Sequence, residues 1–449
     1  MISLLFFVFI ALHSVSALSI CNVCLCRTNR VENVLQQYID CSRRDISMSN
    51  LTLPSDGYSL DLSSNKFDRL QNSSLFKSTT IIELFLNDNN LKEISANVLD
   101  FPELRILDLS FNKLETIHES TFTNLKKLQF LNLASNKFTS FEKLAFHHLS
   151  NLKEIILDNN DIGQSLRKVN LFDINGFGLT KNIRNISMYS VNLNEVPDNF
   201  FIEAYDIRKL VISNNNLSDV FEFPYTLEYL DLSDNPIKTI STEDFNNIPA
   251  LRVLKLNNLQ IEEVPCYVFE PLHGLKELEI ERNKYLTNFS RLAFGDEALN
   301  DPDNFLLEQL SLKNSRLTTL DEDLLEPFGR LIKLDLQGNP WKCDCKIAWF
   351  KRLQIDPKDY EHLRCGSPKP TYNSKIFDLK PRYFTCPKQD RHFIGVTIAG
   401  VAFCIILALI ALWFFVFVPR YQSRSNFTQS MYAPSAAYTV LPMASHFRE

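Results

Sequence analysis

A single phrase, L-x-x-L-x-L-x-x-N-x-L, recurs through residues 57–341 and limits the possible folds more than any other feature of this sequence. Its clearest copy consists of Leu104, Leu107, Leu109, Asn112 and Leu114. Twelve copies can be aligned at a nearly constant spacing, and their asparagine position holds Asn65, Asn89, Asn112, Asn136, Asn160, Val191, Asn215, Asn235, Leu259, Asn283, Ser315 and Asn339. A fixed period with this spelling predicts a solenoid whose coils bury their apolar faces against one another.

Each part of the phrase has a structural interpretation. The L-x-L segment alternates as a short strand does, so its leucines should point inward and the intervening residues outward. Stacked strands would form one long parallel sheet. The asparagine follows the strand where the chain turns, and its amide can both donate and accept hydrogen bonds between successive coils. We therefore predict an α/β-type solenoid, a horseshoe with a parallel sheet on its concave face.

A second periodic feature lies on the part of each repeat that follows the asparagine position. Phenylalanine recurs there at Phe76, Phe122, Phe146, Phe201, Phe245 and Phe269. This ladder predicts a spine of core residues on the convex side, and it partly accounts for the high phenylalanine content of the chain.

The asparagine ladder is interrupted at three positions. Val191 and Leu259 cannot form the amide bridge, and Ser315 can form it only in part. The repeats that end at Val191 and Ser315 are longer than their neighbours, because they contain the insertions 163–182 and 295–304. Two interpretations remain open: tolerated drift in the array, or a local change of curvature with insertion loops that join a binding face.

The two ends of the chain indicate a membrane-anchored protein. Residues 1–17 contain a short apolar run and end in Val-Ser-Ala, which predicts a signal peptide, the alternative being an N-terminal anchor. Residues 393–418 form an uncharged apolar stretch that is long enough for one transmembrane helix. The repeats would then be extracellular, on a single-pass type I protein of the plasma membrane.

The segment after the span, residues 419–449, is short and has scattered Ser, Ala, Pro and Tyr. We predict a short disordered cytoplasmic tail, because a signalling domain needs on the order of 100 residues. Tyr438 and Leu441 fit the tyrosine-x-x-bulky pattern, which resembles endocytic sorting signals but also arises by chance.

Eight of the ten cysteines form two clusters that flank the repeats. Cys21, Cys24, Cys26 and Cys41 lie in the segment 18–56, and the second cluster, in 339–387, consists of Cys343, Cys345, Cys365 and Cys386. A zinc site is possible for each cluster, but neither has histidine at ligand spacing, and a secreted domain favours disulfides. Cross-linked caps would cover the two open ends of the apolar core.

With these motifs the chain resembles the extracellular leucine-rich-repeat family of cell-surface receptors and adhesion proteins. The first cluster is similar to the LRRNT cap, and Asn339-Pro340-Trp341-Lys342-Cys343-Asp344-Cys345 with Trp349 is similar to the LRRCT cap. The resemblance covers about residues 21–386. It implies four disulfides, which are Cys21–Cys26, Cys24–Cys41, Cys343–Cys365 and Cys345–Cys386; sequence alone leaves three connectivities open for each cap.

Four outward strand positions in consecutive repeats are apolar: Phe85, Ile106, Phe130 and Ile156. Outward positions that only water touches should be polar, so these four residues are our candidate ligand patch. The alternative is packing among neighbouring outward side chains. Farther along the array the outward positions are charged, for example Lys209, Lys255, Glu279 and Lys333.

Glycosylation sequons begin at Asn50, Asn72, Asn185, Asn216 and Asn288. Asn185 occupies an outward strand position, where a glycan would obstruct docking on the central arc. This leaves the surface from Phe85 to Ile156 as the freer one.

Two cysteines remain outside the clusters. Cys266 could link two chains if it is exposed, but we expect it to be buried as a small apolar residue. Cys404 falls in the predicted span and should face lipid. Gly395, Ala399 and Gly400 form a small-residue helix face, so a homodimer could form through Cys266 or through this face.

These observations favour binding over catalysis. The histidines are scattered, and the sequence contains no nucleophile motif, metal-binding helix or glycine-rich phosphate loop, so no enzyme and no cofactor are predicted. Acidic and basic side chains number 53 and 47, which argues against nucleic acid as a partner. We expect an extracellular or cell-surface protein ligand and a role in cell adhesion or cell–cell recognition. The competing hypothesis is a receptor or co-receptor for a soluble protein, which could be immune and would signal through partners.

Overall fold

The computed structural model divides the chain into two compact units, residues 1–385 and 386–449. The residues that it describes are 18–31, 34–46, 51–168, 171–173, 177–198, 200–201, 203–358, 360–386, 400–413 and 415. The predicted signal peptide, the cytoplasmic tail with Tyr438 and Leu441, and the sequon residue Asn50 lie outside the described residues.

The strands of the first unit are short. They are β1 (Leu18–Ser19), β2 (Leu25–Val31), β3 (Val34–Asp40), β4 (Leu51–Thr52), β5 (Gly57–Asp61), β6 (Glu83–Phe85), β7 (Ile106–Asp108), β8 (Phe130–Asn132), β9 (Glu154–Ile156), β10 (Asn185–Ser187), β11 (Lys209–Val211), β12 (Tyr229–Asp231), β13 (Val253–Lys255), β14 (Glu263–Val264), β15 (Glu277–Glu279), β16 (Asn288–Phe289), β17 (Gln309–Ser311), β18 (Lys333–Asp335), β19 (Trp341–Lys342) and β20 (Cys365–Ser367).

Fourteen of these strands form one sheet, in the order β18-β17-β15-β13-β12-β11-β10-β9-β8-β7-β6-β5-β3-β2. The pair β2–β3 is antiparallel, and the pairs from β3–β5 to β17–β18 are parallel. Each of the twelve strands from β5 to β18 in this sheet precedes one asparagine position of the repeat. The predicted parallel-sheet solenoid is therefore confirmed.

The middle residue of each sheet strand from β6 to β18 points into the core, and so does Leu60 of β5. These residues, all 5% exposed or less, are Leu60, Leu84, Leu107, Leu131, Ile155, Ile186, Leu210, Leu230, Leu254, Leu278, Leu310 and Leu334. The phenylalanine ladder on the other side of the coil is buried as well, with Phe201 the most exposed of the six at 8%. Neighbouring rungs contact each other, and the ring centroids of Phe122 and Phe146 are 6.2 Å apart.

The asparagine amides bridge the coils as predicted. Asn112 is typical: its Nδ2 donates to the carbonyl oxygen of Leu86 on the preceding coil (2.9 Å), and its Oδ1 accepts from the backbone N–H of Leu91 (3.0 Å). At one break in the ladder, the hydroxyl of Ser315 donates to the carbonyl of Ile280 and accepts from the N–H of Asn283. Val191 and Leu259 are buried and leave the amide bridge out.

The return segments between strands contain mainly 3₁₀ turns, so the helical part of the α/β-type prediction was too strong. Within residues 18–386, α1 (Glu297–Asn300) and α2 (Leu325–Phe328) are the described α-helices. The 3₁₀ segments are Ile20–Asn22, Ser74–Phe76, Phe141–Lys143, Gly163–Lys168, Thr242–Phe245, Pro302–Asn304, Glu322–Leu324, Cys345–Arg352, Lys369–Thr371, Ile376–Asp378 and Pro381–Tyr383. A short repeat leaves few residues for the return segment. An α-helix of so few residues is unstable, because starting a helix costs more free energy than its few hydrogen bonds return.

Disulfides cross-link both ends of the repeat array. They join Cys21 to Cys26, Cys24 to Cys41 and Cys343 to Cys365, which are three of the four pairs that the family resemblance implies. Cys345 and Cys386 are both disulfide-bonded as well. At the C-terminal end Trp341 and Trp349 are buried, and the indole N–H of Trp341 donates to the carbonyl of Leu336.

The second unit contains a described helical segment, residues 400–413 with residue 415, whose side chains are exposed. The predicted span 393–418 extends beyond this segment at both ends, into residues that are not described. Among the described residues, no helix reaches both the length and the apolar character that crossing a membrane requires.

Candidate protein-binding surface

The outward side chains of the sheet form two parallel rows. Within the repeats, the first row contains the residue before the inward one of each strand, and the second row contains the residue after it. Ile106 pairs with Phe130 in the first row. Phe85 and Ile156 belong to the second row, where they pair with Asp108 and Asn132. The four apolar residues, which we call the apolar patch, therefore follow a zigzag across four strands.

The polar residues between the four members of the apolar patch form hydrogen bonds within the sheet. Asp108 accepts hydrogen bonds from the N–H and hydroxyl of Ser110 and from the amide of Asn132. All four residues of the apolar patch are half-buried, so each one still presents apolar surface outward. Since the neighbouring polar groups satisfy one another, the apolar patch is the part of this surface that remains to be covered.

Phe111 extends this surface and was missed in the sequence. It is 61% exposed, and its backbone adopts φ 52°, in the left-handed region. The residue before the asparagine position is left-handed in all twelve repeats, and the other eleven of these positions hold Ser64, Asp88, Ser135, Asn159, Ser190, Asn214, Asp234, Asn258, Arg282, Asn314 and Gly338. Left-handed backbone is unfavourable for a bulky side chain, and an exposed phenyl ring is a second cost. The repeat alignment could have revealed it, because most other repeats have a small or polar residue there.

Phe111 follows β7, the strand of Ile106, at the edge where the strands end. Its N–H donates to the carbonyl of Ala134, and its own carbonyl accepts from the N–H of Asn89. These bonds hold its backbone between the neighbouring coils. The apolar patch and Phe111 therefore lie on the same repeats.

The C-terminal part of the same sheet is charged and internally paired. Lys255 donates to Glu279 (3.0 Å), and the amide of Asn257 donates to the same carboxylate (2.9 Å). Burial acts to raise the pKa of Glu279, but these hydrogen bonds outweigh burial and lower the pKa. Lys209 lies over the ring of Tyr229, at 5.2 Å from its centroid, and burial raises the pKa of Tyr229.

The boundary between the two parts lies near β10. Asn185, the sequon residue on this strand, is half-buried, and its amide donates to Glu154 (3.0 Å). Burial raises the pKa of Asp158, and hydrogen bonds from the Ser187 hydroxyl and the Tyr189 N–H oppose this increase. The sequon residues Asn72, Asn216 and Asn288 are exposed.

The two insertions belong to the return path from one strand to the next. In the first, Leu166, Leu171 and Phe177 are buried, and the ring of Phe177 contacts those of Phe141 and Phe146. In the second, Ala298 is buried, and the flanking residues Phe294 and Phe305 contact each other (ring centroids 5.1 Å apart) beside a cavity of about 330 Å³. Apolar residues in or beside both insertions therefore pack on the return side of the coil.

Cys266 is exposed, so our expectation that it is buried was wrong. Its neighbours Val264 and Val268 fill the core, and its sulfur lies 3.2 Å from the hydroxyl of Ser290 on the next coil. Cys404 is exposed on the described helix of the second unit, as is Gly400; Gly395 and Ala399 lie outside the described residues. Within the described ranges no group of side chains could hold a metal ion.

Comparison with known proteins agrees with this geometry. Residues 102–162 and 208–261 match the family described as leucine rich repeat. The repeats of the solenoid are therefore of the leucine-rich-repeat type. It is similar to Tsukushi of Gallus gallus, with 28% identity over 67% of this chain and 73% of that protein.

The chain is also similar to the leucine-rich repeat transmembrane protein FLRT2 of Rattus norvegicus. Identity is 27% over 44% of this chain, and the match spans only 33% of FLRT2. Among solved structures, its fold matches a chain of the octameric complex of Latrophilin 3, Unc5D and FLRT2. The TM-score is 0.53 with 18% identity, and the match covers 81% of this chain and 99% of that one. This likeness shows the solenoid fold.

Proposed function

We propose that this protein acts in cell adhesion or cell–cell recognition by binding a protein partner through the apolar patch and Phe111. The observation that carries the proposal is the location of Phe111. An exposed phenyl ring on left-handed backbone costs stability, and it belongs to the same repeat as Ile106 of the apolar patch. Because folding does not require a phenylalanine at this position, we infer that the ring contributes to binding a partner.

The physical chemistry of this surface fits a protein partner. Aromatic side chains at the centre of an interface supply much of its binding energy, and half-buried residues lose little side-chain entropy on binding. The surface is open and shallow, which suits another protein better than a small molecule. The proposal is a binding function and assigns no catalytic residue.

We further propose that the protein is held in the plasma membrane by residues 393–418, with its repeats outside the cell. The predicted signal peptide 1–17 and the apolar composition of the predicted span support this arrangement. FLRT2, one of the similar proteins, bears the name transmembrane protein. The tail 419–449 would then depend on recruited partners for any signalling.

The partners of similar proteins support a protein ligand. The repeats of FLRT2 form a complex with Latrophilin 3 and Unc5D. Because the match spans a third of FLRT2, we do not assign the partners of FLRT2 to the present protein. We propose the class of ligand, an extracellular or cell-surface protein.

A cell-aggregation assay tests the proposal. Full-length protein is expressed on non-adherent cells, its surface level is measured with an antibody against an extracellular tag, and the cells are mixed with labelled untransfected cells. Clusters that contain only expressing cells would support homophilic adhesion, and mixed clusters would support binding to a different surface protein. Absence of clusters at verified surface expression would overturn the adhesion role and favour a receptor for a soluble protein.

A further inference from the structure

A third row of side chains follows the edge of the sheet where the strands begin. It contains the residue just before each strand from β6 to β18 of the sheet: Ile82, Arg105, Gln129, Lys153, Arg184, Arg208, Glu228, Arg252, Lys276, Glu308 and Ile332. From Arg105 onward, the backbone N–H of each member donates to the carbonyl of the member before it, at 2.7–2.9 Å. These bonds align the row, and its members are spaced about 4.8 Å apart as strands are. We call it the edge row.

The cations of the edge row differ between its two halves. In the C-terminal half Arg208 donates to Glu228 (2.8 Å) and Lys276 donates to Glu308, so these two charges are neutralised across the coils. Arg252, which lies between them, is exposed and has no ion pair among the described residues. In the N-terminal half Arg105, Lys153 and Arg184 are exposed, and they make no ion pair with any residue that the structure describes. Gln129 between them is neutral.

Acidic residues nearby do not cancel this charge. On the same edge Glu103 pairs with Lys127 (2.6 Å) and Glu203 pairs with Lys181 (2.6 Å). Glu154, on the adjoining strand, accepts the amide of Asn185.

Lys126 adds a further exposed cation, and Glu83 and Asp206 are further carboxylates near this edge. Three unpaired cations of the edge row and Lys126 therefore stand against Glu83, Glu154 and Asp206. A surplus of positive charge remains on a protein whose net charge is −6.

We propose that the N-terminal half of the edge row binds a linear sulfated polysaccharide. Sulfate groups accept charge-assisted hydrogen bonds from guanidinium and ammonium groups, and the planar guanidinium can offer two parallel donors. A row with a regular step matches a polymer whose charges also repeat at a regular step. Arg105, Lys153 and Arg184 are exposed on successive or alternate strands, so they suit a chain that lies along the row better than a single small anion.

Two other polyanions fit less well. Single-stranded nucleic acid is usually held by aromatic side chains that stack on its bases, and the edge row contains no aromatic residue. An acidic protein surface would need a broad complementary face, whereas the unpaired cations form a single row. The edge row adjoins the apolar patch but shares no residue with it, so this proposal does not depend on the proposed function.

The test measures binding of the full-length protein, purified in detergent, to immobilised heparin. The site variant is Arg105→Gln with Lys153→Gln and Arg184→Gln. Its matched control is Lys238→Gln with Arg252→Gln and Lys276→Gln, which removes the same charge from exposed positions of the C-terminal repeats. We expect the site variant to bind at least about 10-fold more weakly than the wild type, with a flatter dependence on salt, and the control to bind within about twofold.

A second variant, Arg105→Lys with Arg184→Lys, keeps the charge and should retain most of the binding, which would separate lost contacts from misfolding. Equal losses in the site variant and its control would overturn the proposal, because attraction would then follow net charge. Single-stranded DNA that competes as well as heparin, and depends on the same residues, would overturn the assignment to a polysaccharide.

Discussion

The N-terminal and C-terminal parts of the sheet share one backbone and differ in their outward side chains. From β6 to β9 the outward rows contain the apolar patch, and Phe111 lies exposed beside it. From β11 to β18 they contain Lys209, Tyr229, Lys255 and Glu279; Lys209 contacts Tyr229, and Lys255 contacts Glu279. These four side chains of the C-terminal part therefore contact one another within the protein, whereas the apolar patch and Phe111 present apolar surface outward.

The difference shows which strand positions the fold constrains and which it does not. Inward positions are leucine or isoleucine in both parts, because the core requires them. Outward positions lie outside the core, so packing of the core leaves them free to differ between the two parts. The edge row repeats the contrast, since two of the three cations of the C-terminal half, Arg208 and Lys276, are paired, whereas none of the three cations of the N-terminal half has an ion pair among the described residues.

The largest expected effect comes from charges placed on the apolar patch. Phe85→Asp combined with Phe130→Asp should weaken partner binding by about 4 kcal/mol, about 10³-fold, because two aromatic contacts are lost and two carboxylates must be desolvated. Tyr229→Asp is the matched control, since Tyr229 occupies the same strand position as Phe130 in the C-terminal part. Loss of cell aggregation or ligand capture in the control alone would place the contact in the C-terminal part.

The asparagine ladder should contribute more stability where it is intact. Asn112→Ala removes the acceptor of the Leu91 N–H and the donor to the carbonyls of Leu86 and Leu109, so we expect a loss of about 3 kcal/mol. Ser315→Ala removes two hydrogen bonds of a smaller group and should cost about 1 kcal/mol. Denaturant unfolding of both variants checks the order, and an equal loss would contradict it.

Phe111 should lower the stability of the folded protein and strengthen partner binding. Phe111→Asn places a residue that tolerates left-handed backbone at this position and removes an exposed ring. We expect a gain of about 1 kcal/mol in the free energy of unfolding and about 10-fold weaker partner binding. Thermal unfolding and a binding titration measure the two effects separately. A variant that is less stable, or one that binds as tightly as the wild type, would remove Phe111 from the interface.

The smallest effect concerns the ion pair of the C-terminal part. The lowered pKa of Glu279 stabilises the folded state above the ordinary value of 4.5, and this contribution is lost as the pH falls through the lower folded-state pKa. Lys255→Met removes one of the donors that cause the shift. It should destabilise the protein by under about 1 kcal/mol at pH 7, and the difference should shrink below pH 4.5. A difference that stays constant from pH 7 to pH 3 would mean that packing causes it.

Features that recur in every coil could be predicted from the sequence. A given position of the repeat has similar surroundings in each coil. The inward leucines, the amide bridge of Asn112 and the buried phenylalanine spine could each be predicted for this reason. The substitute role of Ser315 was also predictable, because a hydroxyl can donate and accept, though it reaches fewer partners than an amide.

Features that occur once were harder to predict. The insertion around Phe177 has no periodic partner, so its packing between Phe141 and Phe146 required the structure. Cys266 looked like a small core residue, but Val264 and Val268 already fill the core beside it. The zigzag of the apolar patch was readable in principle, because two of its members precede the inward residue of their strands and the other two follow it.

Masking the sheet with glycans tests the central claim most directly. Ala134→Thr creates a sequon at Asn132, on the outward face within the apolar patch. Ser311→Asn with Lys313→Thr creates one at the equivalent strand position in the C-terminal part. With glycosylation verified by mass shift, we predict that the glycan at position 132 abolishes cell aggregation or ligand capture and that the glycan at position 311 leaves it intact. Binding that survives the glycan at position 132 would contradict the account.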